Sequence, residues 1–167
     1  MTKLPLRLIL ADLRGAGNVG SILRTADACG MERIYACGTT PYPAHDNDPR
    51  PAHVAASNHR AIAKTALGAE SSTPVLHVAD TLSAIRQSQH DGFTIIVIEQ
   101  AEKALNLYQY QPTGPSALIL GTEVGGVTPE VLATADAILE LPMVGRKESL
   151  NVSVAAAIAM YQLRFGT

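Results

Sequence analysis

Ser149 and Asn151 stand where a short polar loop, Gly145 to Ser149, meets a run of small apolar residues beginning at Val152. That run is so uniformly apolar that the helix it forms must be packed on several sides. Either side chain can offer an oxygen to the orphan N–H groups of the helix's first turn. Polar groups held at the mouth of a buried helix are also placed to do more than cap it. Glu123 lies among Gly121, Gly125 and Gly126, just after a strand-like apolar run. Glycine there lets a ligand approach the backbone closely, while the carboxylate serves equally as an ion-pair partner. Asn18 and Arg24 belong to the first loop–helix unit. Arg24 falls outside the apolar stripe of Val19, Ile22, Leu23 and Ala26, so it projects to solvent, a cleft or a partner. Singly, each of these residues has an ordinary structural use.

Other chemistries find little footing. Gly15-x-Gly17-x-x-Gly20 follows a strand and opens a helix, as a dinucleotide fingerprint does. That fingerprint wants an acidic residue about 20 residues on, and Ala36-Cys37-Gly38-Thr39-Thr40 has none. The glycines are better read as a tight turn before the helix. The Gly121 loop is not followed by the Gly-Lys-Ser/Thr of a phosphate-binding loop. His45, His53, His59, His77 and His90 have no metal-ligand spacing, so no metal is expected. No G-x-S-x-G elbow is present, and neither Cys29 nor Cys37 has an evident base. Both cysteines read as buried free thiols.

The elements that must position these residues alternate. Strands are expected at Leu6–Leu13, Arg33–Cys37, Val75–Val78, Thr94–Ile98, Ala117–Leu120 and Ala137–Leu141. Helices are expected at Val19–Cys29, His59–Leu67, Thr81–Gln89, Pro129–Thr134 and Leu150–Phe165. Asn18 reads as the N-cap of the first helix and Gly30 as its C-terminal stop. Pro41, Pro43, Pro49 and Pro51 break the segment from Gly38 to Asn58 into a long surface loop, a candidate lid. This alternation argues for an α/β fold with a mostly parallel sheet. The 167 residues, 47 % of them hydrophobic, suit a single domain. No apolar run approaches the ~20 residues of a membrane span, and no leader pattern precedes Leu6, so a cytoplasmic protein is expected. Net charge is −2, but residues 1–64 hold eight Lys/Arg against five Asp/Glu, and residues 65–167 hold five against ten. The basic first part is compatible with phosphate contacts and equally with a solvated face.

Three blocks taken in order resemble the motifs of the SpoU (TrmH-type) RNA 2′-O-methyltransferases of the SPOUT superfamily. They are Asn18 to Ala26, Leu118 to Val127, and Leu141-Pro142-Met143 through Ser149-Leu150-Asn151-Val152-Ser153-Val154-Ala155. The resemblance covers about Leu6 to Phe165. It implies a C-terminal part threaded into a deep trefoil knot, and S-adenosylmethionine as cofactor. It places cofactor contacts at Ile98, Glu99, Gly121, Gly125, Leu141, Met143, Ser149 and Leu150. It places catalytic roles on Asn18, Arg24, Glu123, Ser149 and Asn151. It also implies a homodimer through the knot and closing helix, which suits a helix apolar all round.

The reaction implied is methyl transfer to a ribose 2′-hydroxyl of tRNA or rRNA. Thr122 stands where many family members have Asn. The chain reads as one catalytic domain, 1–167, without an RNA-binding extension, and on that ground tRNA is favoured. RNA contacts are then expected from Arg14, Arg24, Arg50 and Arg60. The alternatives are a knotted RNA- or cofactor-binding module without turnover, and a nicotinamide-dependent oxidoreductase resting on the three glycines.

Overall fold

The computed structural model describes residues 4–122 and 124–166. The elements, in chain order, are β1 (Leu6–Ala11), α1 (Ala16–Cys29), β2 (Arg33–Cys37), α2 (Ala52–Ala66), α3 (Ala69–Ser72), β3 (Val75–Val78), α4 (Thr81–His90), β4 (Thr94–Ile98), β5 (Leu105–Asn106), β6 (Ser116–Leu120), α5 (Pro129–Leu132), β7 (Ala137–Glu140) and α6 (Val152–Phe165). The sheet runs β3-β2-β1-β6-β4-β7-β5. Every pairing between these strands is parallel.

A parallel sheet is covered on both faces, so its central strands read as unbroken apolar runs. β1 is buried along its whole length, and so is β6. Alternate side chains feed two cores. Leu8, Leu10, Ile34, Ile96 and Leu118 pack with α1, α2 and α6. Ile9, Tyr35, Ile95, Val97 and Ile119 pack with α4 and α5. The exception at the start of β1 is Arg7. Its guanidinium pairs with Glu32 and Asp91 and lies 3.9 Å from the centroid of the Phe93 ring, so a buried charge is both neutralised and stacked.

Several expectations give way to packing. α1 begins at Ala16, so Asn18 is not its N-cap; Gly15 takes that place without a side-chain bond. Gly17 and Gly20 lie inside the helix rather than in a turn. A side chain at Gly20 would run into the Ile62 carbonyl and the Thr65 hydroxyl of α2. The glycine spacing is therefore a helix-crossing device. The Thr65 hydroxyl also donates to the Gly17 carbonyl at 2.8 Å. The proline-rich segment ends earlier than expected, because Pro51 starts α2. A proline has no N–H to lose at a helix start. The short α3 and β5 lie outside the sequence reading. Gly30 does stop α1, with φ of 62°.

Candidate functional site

The C-terminal ends of β4, β6 and β7 lie side by side, because β4 sits between the other two. Chain leaving these ends walls a cavity of about 690 Å³. β4 contributes Ile98, Glu99 and Gln100. β6 and its loop contribute Leu120, Gly121, Thr122 and Gly126. β7 and the loop after it contribute Glu140, Leu141, Met143, Lys147, Ser149 and Leu150. Asn151, Val152 and Ala155, at the start of α6, close it. Ligands of parallel α/β sheets bind outside the carboxyl ends of strands for this reason.

Two neighbouring residues at the end of β4 hold the two loops. Glu99 accepts from the Val127 N–H at 3.2 Å, and a side chain at Gly126 would strike its carboxylate. Gln100 donates to the Glu148 carbonyl at 2.6 Å. The β6 loop is also folded on itself. The Thr122 N–H donates to the Gly126 carbonyl at 3.1 Å, and the Thr122 hydroxyl donates to Val124. Gly125 and Gly126, with φ of 94° and 64°, make that reversal.

Asn151 is the N-cap of α6. Its Oδ1 accepts from the Ser153 N–H at 2.9 Å and from the Ser153 hydroxyl at 2.7 Å. These bonds fix the amide, and Nδ2 donates to Asn18 Oδ1 at 3.2 Å. Residues from the first and last blocks of the chain therefore meet beside the cavity. Of the two cap candidates, Asn151 caps, while Ser149 is exposed on the cavity wall.

The sequence matches the SpoU rRNA Methylase family over residues 5–161. The chain belongs to this family. It is 31% identical over 95% of its length to the 23S rRNA (guanosine-2′-O-)-methyltransferase RlmB of Ralstonia nicotianae, covering 57% of that protein. It is also 31% identical over 87% of its length to the tRNA (guanosine(18)-2′-O)-methyltransferase of Escherichia coli, covering 56% of that one. The structure of an AdoMet-bound rRNA methyltransferase from Sinorhizobium meliloti superposes with a TM-score of 0.78 at 25% identity, covering 96% of this chain and 56% of that chain. The chain thus spans little more than half the length of these relatives.

Within this SpoU fold the expected site residues separate into groups. Ile98, Glu99, Gly121, Leu141, Met143, Ser149, Leu150 and Asn151 line the cavity. Asn18 joins them through Asn151. Gly125 turns the β6 loop, but its neighbour Gly126 is the one on the wall. Glu123 lies outside the described residues. Arg24 is exposed on α1 and does not line the cavity. Arg14 and Arg60 are exposed.

Arg50 is committed elsewhere. It bonds Asp48 through Nε at 2.9 Å, donates to the Tyr42 and Pro43 carbonyls, and stacks 3.5 Å from the Tyr42 ring centroid. The guanidinium holds the Asp48 carboxyl well below the usual carboxylate range. Gln100, Glu140 and Lys147 also line the cavity. They escaped the sequence reading because they flank the motif positions and match no pattern. No group of three or more His, Cys, Asp or Glu among the described residues is arranged to hold a metal ion. No described helix is long and apolar enough to cross a membrane.

Proposed function

We propose that this SpoU-family chain is an S-adenosylmethionine-dependent methyltransferase that modifies a ribose 2′-hydroxyl of tRNA or rRNA. The observation that carries the reading is the cavity at three adjacent strand ends, braced by Glu99 and Gln100 and joined to the first helix through Asn18 and Asn151. Its walls fit such a cofactor. Ile98, Leu120, Leu141, Met143 and Leu150 offer apolar cover for a purine. Glu99, Glu140 and Lys147 offer charges of both signs for a ligand that carries both. When bound, S-adenosylmethionine supplies a methyl group already activated by its sulfonium.

The protein's part is then to position the ribose and to handle charge. A 2′-hydroxyl is a weak nucleophile and loses its proton as it attacks. Arg24, with a guanidinium pKa above ~12, is ill suited to accept that proton. It suits stabilising the developing alkoxide and orienting the ribose phosphate. Ser149 and Asn151 orient the ribose, and Glu123 and Asn18 order the loops. Because Arg24 does not line its own chain's cavity, the proposal has it arrive from a second copy.

The homodimer uses the exposed stripe of α6: Val154, Tyr161 and Phe165, with Leu150 alongside. The trefoil threading belongs to the same reading. It is supported by β7 inserting between β4 and β5, both formed earlier in the chain. Relatives at equal identity act on rRNA and on tRNA, so both substrate classes stay within the proposal.

The test uses purified protein, labelled S-adenosylmethionine and undermodified total RNA fractionated by size, with Arg24→Ala run beside it. Label in one RNA fraction that disappears in the variant is the expected result. Cofactor binding with no label in any fraction would replace the enzyme with a binding module.

A further inference from the structure

α2 carries no acidic residue, although the chain has 15 Asp and Glu against 13 Lys and Arg. The acid-free stretch extends from Pro49 to Ala69. The helix buries Ala55, Ile62 and Ala66. Its opposite face exposes His53, Ser57, Arg60 and Lys64. Steps of four, three and four residues place these side chains in one row about 16 Å long.

Lys64 sits in the last turn, where a cation complements the helix dipole. Arg60 and His53 gain nothing from that, and the first turn lacks the acid that would match it. Neither Arg60 nor Lys64 forms an ion pair among the described residues, whereas Arg7, Arg50 and Arg86 all do. The C-terminal end of the row, beside Thr65, neighbours the start of α1. The C-terminal half of α2 crosses α1 at Gly17 and Gly20, and Asn18 between them bonds Asn151. Arg14 and Arg24 are exposed at the start of α1 and on its surface.

We infer that the exposed ridge of α2, from His53 to Lys64, is an RNA phosphate-binding track leading to the cavity mouth. The inference rests on the methyltransferase reading above. It assigns contacts to Arg60, Lys64 and His53, and it removes Arg50, whose donors are spent on Asp48 and the loop carbonyls. Such contacts carry no base information. They fix where the duplex or loop lies while the site reads one ribose. The field of the molecule supports this placement, since the acids concentrate in residues 65–167, so RNA is drawn toward the α1–α2 face.

The experiment measures binding of fluorescent tRNA and rRNA preparations against salt, for the full chain and for Arg60→Ala/Lys64→Ala. Arg33→Ala/Lys103→Ala serves as an off-ridge control, and S-adenosylmethionine affinity is read calorimetrically on every protein. The ridge variant should bind more weakly on all RNA tested, with a salt slope lower by about 2, while the control matches wild type. Arg60→Glu/Lys64→Glu should lose more. Wild-type binding with normal salt dependence in all variants overturns the track and leaves the methyltransferase reading standing. Wild type that binds the cofactor but no RNA overturns both.

Discussion

Asn151 joins a fold contact to a site contact through one amide, and substitution can separate the two. Asn151→Ala removes the cap and the bond to Asn18 together. It should cost about 0.5–2 kcal/mol of stability and sharply reduce methyl transfer. Asn151→Asp keeps the acceptor for Ser153 but cannot donate to Asn18. Urea unfolding of Asn151→Asp should stay near wild type while its transfer rate falls. Wild-type transfer by Asn151→Asp would make Asn151 a cap and nothing more. At Gly20, alanine places a methyl group against the α2 backbone. Unfolding should show a loss of about 1–3 kcal/mol, with no nicotinamide binding to lose. Asn151 was legible because its position follows a polar loop and precedes an apolar run. The Asn18 contact was not legible. It spans 133 positions, and no local pattern encodes a partner so distant.

At the scale of elements, the strands were legible where burial on both faces makes an apolar run, as in β1, β4 and β6. The start of α2 was hidden by proline, which reads as a breaker although it also opens helices. β5, two residues long, carries no periodicity at all. The loop between β2 and α2 is ordered by a stack. Tyr42 lies between the Arg50 guanidinium and the His77 ring, whose centroid is 4.4 Å away. Arg50 depresses the Asp48 carboxyl, chiefly through their side-chain hydrogen bond. A depressed carboxyl stabilises the fold above its unfolded value of ~3.9 and loses that contribution as pH falls through the folded value. Hydrogen exchange of the Arg50 amide, which donates to Asp48 at 3.0 Å, should therefore, after correction for the intrinsic rate, stay slow at pH 5 and quicken only in stronger acid. Asp48→Asn should quicken it already at pH 7. Slow exchange in that variant at pH 7 would show that the tyrosine stack alone orders the loop. Burial pushes the Cys37 thiol up to about 12. Folded protein should therefore resist maleimide at that position at pH 8 and yield to it only in denaturant.

The single chain leaves apolar surface where a soluble molecule normally covers it. The Tyr161 and Phe165 rings meet tilted, with centroids 5.4 Å apart, and are each 49 % exposed, with Val154 on the same helix at 46 %. Sedimentation should give a dimer, and Tyr161→Asp should give a monomer without transferase activity. Mixing Arg24→Ala with Asn151→Ala subunits should then restore part of the activity, because one mixed site would hold both wild-type groups. No restoration in a mixture proven to exchange subunits would place Arg24's action within one chain.

β7 joins the sheet between two strands already synthesised, and α6 lies across α1 from the opposite end of the chain. Arg164 donates to the carbonyls of Leu4, Cys29 and Gly30, so the last turn of α6 also fastens the beginning of the chain. Pairings this distant are slow to form. A ribosome-tethered chain stopped before Val152 has three strand ends but no fourth wall. Such a chain therefore has no closed cavity until α6 follows. The cavity closes only once α6 has been made and has docked on α1.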